Sequence, residues 1–249
     1  MLSIIIPMGG EDEKGQRLKN LYETLHCIEY QTYRDYEVIL VEEVFKGNII
    51  FDVVEVDQYI QVKAGRYSNR SWTRNIGAQA AHGDMFLQFD GDIIFGKDYF
   101  QRIVEYPHEW FIGWDTCYRL TPEGFNEWNL NEDLTILHKY SDPYFGVIHS
   151  TQGGACGFSS CFSRQFYFYV TGGYNENFTG WGGEDDDISL RATHMLGDFY
   201  NLPYTIYHLP HGSRHGSNRE IEKTIADPQG VTERLKNAKL GRVGGPTLV

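Results

Sequence analysis

Strand-like and helix-like segments alternate along the first hundred residues, and this alternation restricts the folds open to the chain. The strand-like runs are short and apolar, whereas the segments between them repeat apolar residues at spacings of three and four, as one face of a helix does. Strands are predicted at Leu2–Ile6 (closed by Pro7), at Tyr36–Val41, as one or two short runs within 53–62, and at Met85–Phe89; helices are predicted at 16–31 and 71–81. The pattern predicts an α/β fold with a mostly parallel central sheet in a single domain.

The rest of the chain is predicted to be less regular. Residues 105–155 combine aromatic residues with polar turns, which favours a lid-like or acceptor-facing region. An apolar segment at 158–170 leads into a turn at 172–174. Further on, Glu184–Leu196 fits an amphipathic helix and Thr205–Leu209 fits a late strand.

Acidic residues follow two of the predicted strands directly. Glu42-Glu43 ends the second strand, and Asp90-Gly91-Asp92 follows the strand that ends at Phe89. Ligands of parallel sheets gather beyond the carboxyl ends of the strands. Two carboxylates one residue apart suit a hard divalent cation, and the glycine between them eases the turn. Asp-Gly is also a common surface-turn dipeptide, so the position after an apolar strand is what favours a metal site.

The segment Gly180–Asp187 reads Gly-Trp-Gly-Gly-Glu-Asp-Asp-Asp. Four consecutive acidic residues repel one another, and a carboxylate beside a cleft can take a proton from an attacking hydroxyl. Trp181 offers an apolar platform for a sugar face, and the glycines let the backbone approach a ligand. The same acidic run also suits the positive end of a helix, and both interpretations are compatible.

Three histidines, His208, His211 and His215, fall within eight residues at the end of the late strand. Histidine is a frequent metal ligand, and a spacing of three can bring two rings to one ion. We predict coordination by His208 and His211, with His215 as an alternative ligand or a phosphate contact.

Charge and cysteine usage exclude other classes of protein. The net charge is −12 and the pI is near 5.2, so a broad basic surface for nucleic acid is not expected. The apolar N-terminal run is too short for a signal or a membrane span, which predicts a soluble or at most membrane-peripheral chain. Four cysteines without metal-site spacing predict reduced thiols and a cytoplasmic location.

These motifs resemble those of the GT-A-fold glycosyltransferases, specifically the β-1,4-galactosyltransferase-like family. The most specific match runs from Gly172 through Gly180–Asp187 to Arg191. Upstream, Arg74-Asn75-Ile76-Gly77 followed by Asp90-Gly91-Asp92 resembles the R-N-x-G…D-x-D order of the wider group. The resemblance covers most of residues 2–216 and implies a GT-A (Rossmann-like) fold.

The resemblance also implies a division of the chain and a role for each matching residue. It places a nucleotide-sugar-binding half at 1–100 and an acceptor and catalytic half at 101–216. After Gly216 the composition turns polar, which predicts a C-terminal extension at 217–249. Asp185 would be the catalytic base. The acceptor or sugar would contact Trp181, Gly182, Gly183, Glu184 and Asp186. The nucleotide-sugar would contact Pro7, Glu42, Glu43, Arg74, Asn75 and Asp90. The metal ligands would be Asp92, Asp90, His208 and His211.

The implied reaction moves a sugar from a UDP-sugar donor to a glycan, glycoconjugate or other hydroxyl acceptor. Aspartate at 185, where the related retaining enzymes have asparagine, implies inversion in one in-line displacement. The cofactor would be Mn²⁺, or Mg²⁺ because His208 replaces the methionine of vertebrate members. Small residues at Ala155 and Cys156, near the family's donor-selecting aromatic residue, leave both hexose and N-acetylhexosamine donors open.

Two other functions fit parts of this pattern. One is a catalytically inactive sugar-binding protein on a GT-A fold. The other is a metal-dependent nucleotidyltransferase, although the chain has no Gly-rich, Lys-containing phosphate loop.

Overall fold

The structure is a computed structural model that describes residues 1–9, 15–45, 55–65, 68–131, 133–145, 157–180 and 182–211. In these ranges the strands are β1 (Leu2–Gly9), β2 (Tyr36–Val44), β3 (Gln58–Lys63), β4 (Met85–Phe89), β5 (Ile93–Ile94), β6 (Trp110–Ile112), β7 (Thr116–Leu120), β8 (Ser141–Phe145), β9 (Ser159–Ser163) and β10 (Thr205–His208). The α-helices are α1 (Gln16–Glu29), α2 (Arg70–Ala80), α3 (Tyr99–Glu105), α4 (Pro122–Asn131) and α5 (Glu184–Leu196). A 3₁₀ helix spans Leu134–Tyr140 and a π-helix spans Phe166–Thr171.

The main sheet has six strands in the order β3-β2-β1-β4-β9-β6. The first four are mutually parallel, and β9 runs antiparallel to both β4 and β6. The predicted parallel sheet is therefore confirmed, and the carboxyl ends of β1, β2 and β4 lie along one edge. Glu42 and Glu43 face Met8 and Gly9 across the β1–β2 pair at that edge.

A second sheet, which the sequence analysis did not predict, has the strand order β5-β10-β7-β8. It contains parts of the region 105–155 that was expected to be less regular, so that expectation was wrong for residues 105–131 and 133–145. The lid-like or acceptor-facing role of the region stays a prediction. Strands β6 and β9 also complete the main sheet, while β5 from the first hundred residues belongs to the second sheet. The two predicted halves of the chain thus share both sheets, and the predicted extension at 217–249 lies outside the described residues.

Several predicted boundaries shift. Helix α1 ends at Glu29 rather than at residue 31, and α2 covers 70–80 instead of 71–81. Pro7 does not close β1, which continues to Gly9. Strand β1 pairs with β4 only as far as Ile5, whereas it pairs with β2 as far as Gly9. Pro7, which has no N–H to donate, therefore lies where β1 has a partner strand on one side only.

Helix α2 packs closely on the main sheet, and this packing fixes the residues that it carries. Gly77 lies so near Ile5 that a side chain there would overlap it, so the glycine is required for the close approach of α2 to β1. Asn69 caps the helix, since its side-chain oxygen accepts a hydrogen bond from the Trp72 N–H at 2.9 Å. The position of α2 matters below because it carries the arginines of the site.

At the opposite edge of the main sheet, Glu37 joins β1, β2 and the residues after α2. Its carboxylate is buried and accepts hydrogen bonds from Ser3 Oγ at 2.6 Å, from the His82 N–H at 2.6 Å and from Gln58 Nε2 at 3.1 Å. Burial alone would raise the pKa of Glu37, but the hydrogen bonds from His82, Ser3 and Gln58 lower it from 4.5 to about 2.

We expect the free energy of unfolding to fall as the pH is lowered from about 4.5 to about 2, because a depressed pKa stabilises the fold only while the carboxylate stays ionised. Glu37→Gln should remove this part of the acid dependence and lower stability at neutral pH. Urea unfolding of both proteins across that pH range measures the effect. Parallel pH profiles for the two proteins would contradict it.

No helix among the described residues combines the length and apolar character that a membrane span needs. Cys27, Cys117 and Cys161 are buried free thiols, and Cys156 lies outside the described residues. The cellular location stays a prediction.

Candidate active site

A cleft opens at the carboxyl ends of β1, β2 and β4, the edge where the acidic motifs were expected. Its lining residues come from the three strand ends, the first turn of α1, the start of α2 and the segment after β10. They are Pro7, Met8, Gly9, Arg17, Glu43, Ser68, Arg70, Thr73, Asp90, Gly91, Asp92 and His211. Both carboxylates of the D-x-D motif therefore line one cavity with a predicted histidine ligand.

The D-x-D segment contains a turn at residues 91–92, and packing holds the segment in place. The Asp90 N–H donates to the Phe158 carbonyl at 2.9 Å. A side chain at Gly91 would come within 2.7 Å of Met8 Sδ and 3.2 Å of Leu21 Cδ1, so glycine permits β1 and α1 to close around the segment. Gly91 is not among the residues with left-handed φ, so it is needed for space and not for conformational freedom.

Asp92, His208 and His211 form a group that could hold a metal ion, with one ligand atom of each lying within 4.8 Å of the others. Strand β10 pairs with β5 so that His208 faces Ile93, and the Leu209 N–H donates to the Asp92 carbonyl at 2.8 Å. These backbone contacts bring residues more than a hundred positions apart to one point.

The donor set of this group fits a divalent cation. His208 Nε2 lies 3.7 Å from Asp92 Oδ1, and His211 Nε2 lies 3.4 Å from Asp92 Oδ2. Ligands that share one ion at about 2.1 Å lie roughly 3 to 3.5 Å apart. Asp92 Oδ1 is buried and accepts no hydrogen bond from the described residues, as expected of an oxygen placed for a cation. Burial lowers the pKa of His208, which favours the neutral imidazole that binds metals.

Asp90 lies outside this three-residue group, although it was predicted to contribute to metal binding. Its Oδ1 instead accepts a hydrogen bond from Arg74 Nη2 at 3.2 Å. Burial opposes ionisation of Asp90, but Arg70 and Arg74 outweigh it and lower the pKa of the carboxyl. A direct contact of Asp90 with the ion stays a prediction, and His215 lies outside the described residues.

The acidic run begins α5, as predicted, and the four carboxylates have different surroundings. Gly182 and Gly183 enter the helix with φ of 94° and 88°, a conformation that glycine adopts without strain. Glu184 and Asp185 turn towards Arg74, with Asp185 Oδ1 only 2.8 Å from Arg74 Nη1. Asp187 is buried and pairs with Arg191 at 2.7 Å within α5. Trp181 lies outside the described residues.

Asp185 has the electrostatic character expected of a general base. Burial raises its pKa to about 7, and Glu184 and Asp90 add to this while Arg74 opposes it. A carboxyl with a pKa near neutral is both ionised often enough and basic enough to take a proton from a hydroxyl. The pKa of Asp186 is raised to about 6, mainly by burial and further by the negative charge of Glu184.

The predicted nucleotide-binding residues separate into two groups. Pro7, Glu43 and Asp90 line the cleft. Glu42 is buried beneath it and accepts a hydrogen bond from the Tyr59 hydroxyl. Glu43 also organises the start of α2, since it accepts from Ser68 Oγ at 2.6 Å and from the Asn69 N–H at 3.0 Å. Strand alternation places the two neighbouring glutamates on opposite faces of β2, which explains the difference.

Arg74 and Asn75 do not line the cleft, and each is occupied by contacts inside the protein. Arg74 is 2% exposed and contacts three carboxylates. Asn75 Oδ1 accepts from the Tyr174 N–H at 2.9 Å, and Asn75 Nδ2 donates to the Tyr174 carbonyl at 2.9 Å and to Glu176 at 2.8 Å. A direct donor contact of either residue stays a prediction.

Two cations that line the cleft, Arg17 and Arg70, were not predicted from the sequence. Arg70 lies one helical turn before Arg74, and residues four apart share a face of a helix. The spacing of these two arginines at the start of α2 was a signal that could have found Arg70. Arg17 carried no comparable pattern. Together they place positive charge beside the carboxylates of an otherwise acidic protein.

The fold and the site define a GT-A glycosyltransferase, and comparison with known proteins agrees. A family model described as glycosyl transferase family 2 matches residues 3–168, about two thirds of the chain. The chain therefore belongs to glycosyl transferase family 2 and is a glycosyltransferase. A second model, described as N-terminal domain of galactosyltransferase, matches residues 142–212, which confirms the predicted resemblance to galactosyltransferases.

Two curated proteins are similar to this chain in sequence. Chondroitin synthase from Escherichia coli is 25% identical over 90% of this chain, and human beta-1,4-galactosyltransferase 4 is 28% identical over 51% of it. These matches span only 37% and 30% of the relatives' own lengths. Solved structures of S. aureus TarS 1–349, one with UDP and one with UDP-GlcNAc, share the fold. Their TM-scores are 0.57 and 0.56 at 14% identity, covering 84% and 86% of this chain and 60% of theirs.

Proposed function

We propose that this enzyme transfers a hexose or N-acetylhexosamine from a UDP-sugar to a hydroxyl group of a glycan or similar acceptor, with inversion and with a divalent metal ion. The observation that carries the proposal is that Arg74 contacts carboxylates of both the metal-binding side and the acceptor side. This residue bridges Asp90 on the metal-binding side to Asp185 at the start of α5. A metal-diphosphate site and a base for the acceptor are thus neighbours.

The donor side is built from the metal ligand group and the cleft. Asp92, His208 and His211 would hold Mn²⁺ or Mg²⁺, which when bound offsets the charge of the diphosphate. Arg70 lines the cleft beside Asp90 and Asp92, where it can contact a phosphate oxygen. The UDP and UDP-GlcNAc bound to the TarS structures support a UDP-sugar as the donor class.

The acceptor side is built around Asp185. The acceptor hydroxyl loses its proton to this carboxylate while its oxygen attacks the anomeric carbon of the donor. The bond between that carbon and the diphosphate breaks, and its electron pair leaves with UDP. One displacement of this kind inverts the configuration. Glu184 and Asp186 flank the base, where they can accept hydrogen bonds from other hydroxyls of the acceptor, as the resemblance to galactosyltransferases implies.

The test of this proposal is a donor panel. UDP-galactose, UDP-N-acetylgalactosamine, UDP-glucose and UDP-N-acetylglucosamine are incubated with the protein in MnCl₂, in MgCl₂ and in EDTA, and UDP release is measured. We expect turnover of at least one donor that EDTA abolishes and added Mn²⁺ restores. If no donor releases UDP and calorimetry detects no metal-dependent binding of UDP, the proposal is wrong.

A further inference from the structure

Arg74 lies behind the cleft among groups that hold its guanidinium on several sides. Its Nη1 is 2.8 Å from Asp185 Oδ1 and 3.5 Å from Glu184 Oε1, and its Nη2 is 3.2 Å from Asp90 Oδ1. The guanidinium carbon lies 4.9 Å from the ring centroid of Tyr174. A planar fork engaged in this way is fixed in orientation.

The same contacts distinguish the two oxygens of Asp185. Oδ1 faces Arg74 Nη1 at 2.8 Å and the Tyr174 hydroxyl at 3.4 Å. Oδ2 accepts no hydrogen bond that the described residues supply, and it points towards Gly157, where an added side-chain carbon would lie 3.2 Å from it. Because residue 157 is glycine, no side chain from this position crowds Oδ2.

We propose that Arg74 is a positioning residue that holds Oδ1 of Asp185 and thereby presents Oδ2 as the atom that receives the acceptor proton. This inference rests on the proposed glycosyl transfer. In that step the acceptor oxygen bonds to the anomeric carbon, the diphosphate leaves with the electron pair of its broken bond, and the hydroxyl proton ends on Oδ2. Arg74 itself exchanges no proton and contacts neither donor nor acceptor.

The surroundings of Arg74 support positioning rather than donor binding. Its side chain is 2% exposed, whereas Arg70 on the preceding helical turn lines the cleft. The next residue, Asn75, fastens α2 to Tyr174 through two hydrogen bonds of 2.9 Å, so the ring beside the guanidinium is also fixed. Helix α2 therefore serves as a rigid support for the carboxylate at the start of α5.

Arg74→Lys tests the inference, because lysine keeps the charge but cannot engage Asp185 and Asp90 through a planar fork. We expect kcat to fall about 100-fold, as for a misplaced catalytic group. The KM for the donor and the Kd for UDP with MnCl₂ should change by less than about threefold, since a change of kcat alone reports a contact made in the transition state. Arg164→Lys is the matched control, because Arg164 donates to the Ala81 carbonyl far from the cleft.

Two results would overturn the inference. If Arg74→Lys weakens UDP binding as much as it lowers kcat/KM, Arg74 is a donor contact. If it leaves kcat unchanged, the contact with Oδ1 has no role in transfer. A wild-type protein that neither binds UDP with Mn²⁺ nor transfers sugar would instead contradict the proposed function itself.

Tyr174→Phe keeps the test decisive if the lysine variant does not fold. It removes only the hydroxyl that faces Oδ1 and leaves the ring beside the guanidinium. We expect kcat to fall about fivefold, which corresponds to the loss of one modest hydrogen bond. UDP binding and the thermal midpoint should stay unchanged. A kcat equal to that of the wild type would contradict the positioning of Oδ1.

Discussion

Asp185→Asn is expected to lower sugar transfer by about 10³-fold while metal-dependent binding of UDP changes little. The amide is nearly isosteric with the carboxylate but cannot take the proton of the acceptor hydroxyl, and general-base catalysis supplies effects of about this size. UDP binding should persist because Asp185 contacts Arg74 and Tyr174 and is not part of the metal ligand group. Initial rates with the best donor and calorimetric titration of UDP with MnCl₂ measure the two effects.

The matched control for this substitution is Asp84→Asn. The Asp84 side chain is 95% exposed and lies at the opposite edge of the main sheet, so its amide should leave both kcat and UDP affinity at wild-type values. Loss of UDP binding in Asp185→Asn would show that Asp185 serves the donor instead. Retention of more than a tenth of the wild-type rate would remove Asp185 as the base.

Asp92→Ala should abolish the metal dependence of UDP binding. Asp92 is the one carboxylate in the metal ligand group of the described residues, and both of its oxygens face imidazole nitrogens. Loss of a carboxylate ligand should weaken Mn²⁺ binding by at least about 100-fold. Titration of Mn²⁺ followed by electron paramagnetic resonance reports the ion directly, and calorimetry reports UDP binding in the presence and absence of the ion.

The variants His208→Ala and His211→Ala test whether the two histidines bind the same ion as Asp92 or only form a hydrogen-bonded cluster with it. If both histidines hold the ion, each variant should lose Mn²⁺ affinity in the same direction as Asp92→Ala. Asp84→Ala, a carboxylate removed from the surface, is the control and should bind Mn²⁺ as the wild type does. Full Mn²⁺ affinity in Asp92→Ala would place the ion elsewhere.

The parts of the fold that follow from local pattern were predicted correctly. Glu184–Leu196 is helical over the predicted residues, because a glycine pair, an acidic first turn and amphipathic spacing all act within a few residues. Strand β4 is a short apolar run followed directly by an acidic motif, which is also a local pattern, and both were predicted. Parallel strands bring their carboxyl ends to one edge, so the approximate place of the cleft followed from the order of the elements.

Apart from the group of Asp92, His208 and His211, which the family resemblance implied, several contacts between distant residues were not predicted. Arg74 meets Asp185 across 111 positions, and no local pattern shows that a buried arginine serves a carboxylate instead of a ligand. Pairing with β10 adds the two-residue strand β5 to the second sheet, and a strand of two residues is too short for a recognisable alternation. The crowding of Gly91 by Met8 and Leu21 was likewise not predicted, since it appears only when three elements meet.

The configuration of the product tests the central claim most directly. The donor that turns over in the panel carries an α-linked sugar on UDP, and nuclear magnetic resonance of the freshly formed product reads the new anomeric centre. A base at Asp185 and a single displacement predict a β-linked product. An α-linked product would show retention of configuration and would contradict the assignment of Asp185 as the base of a one-step transfer.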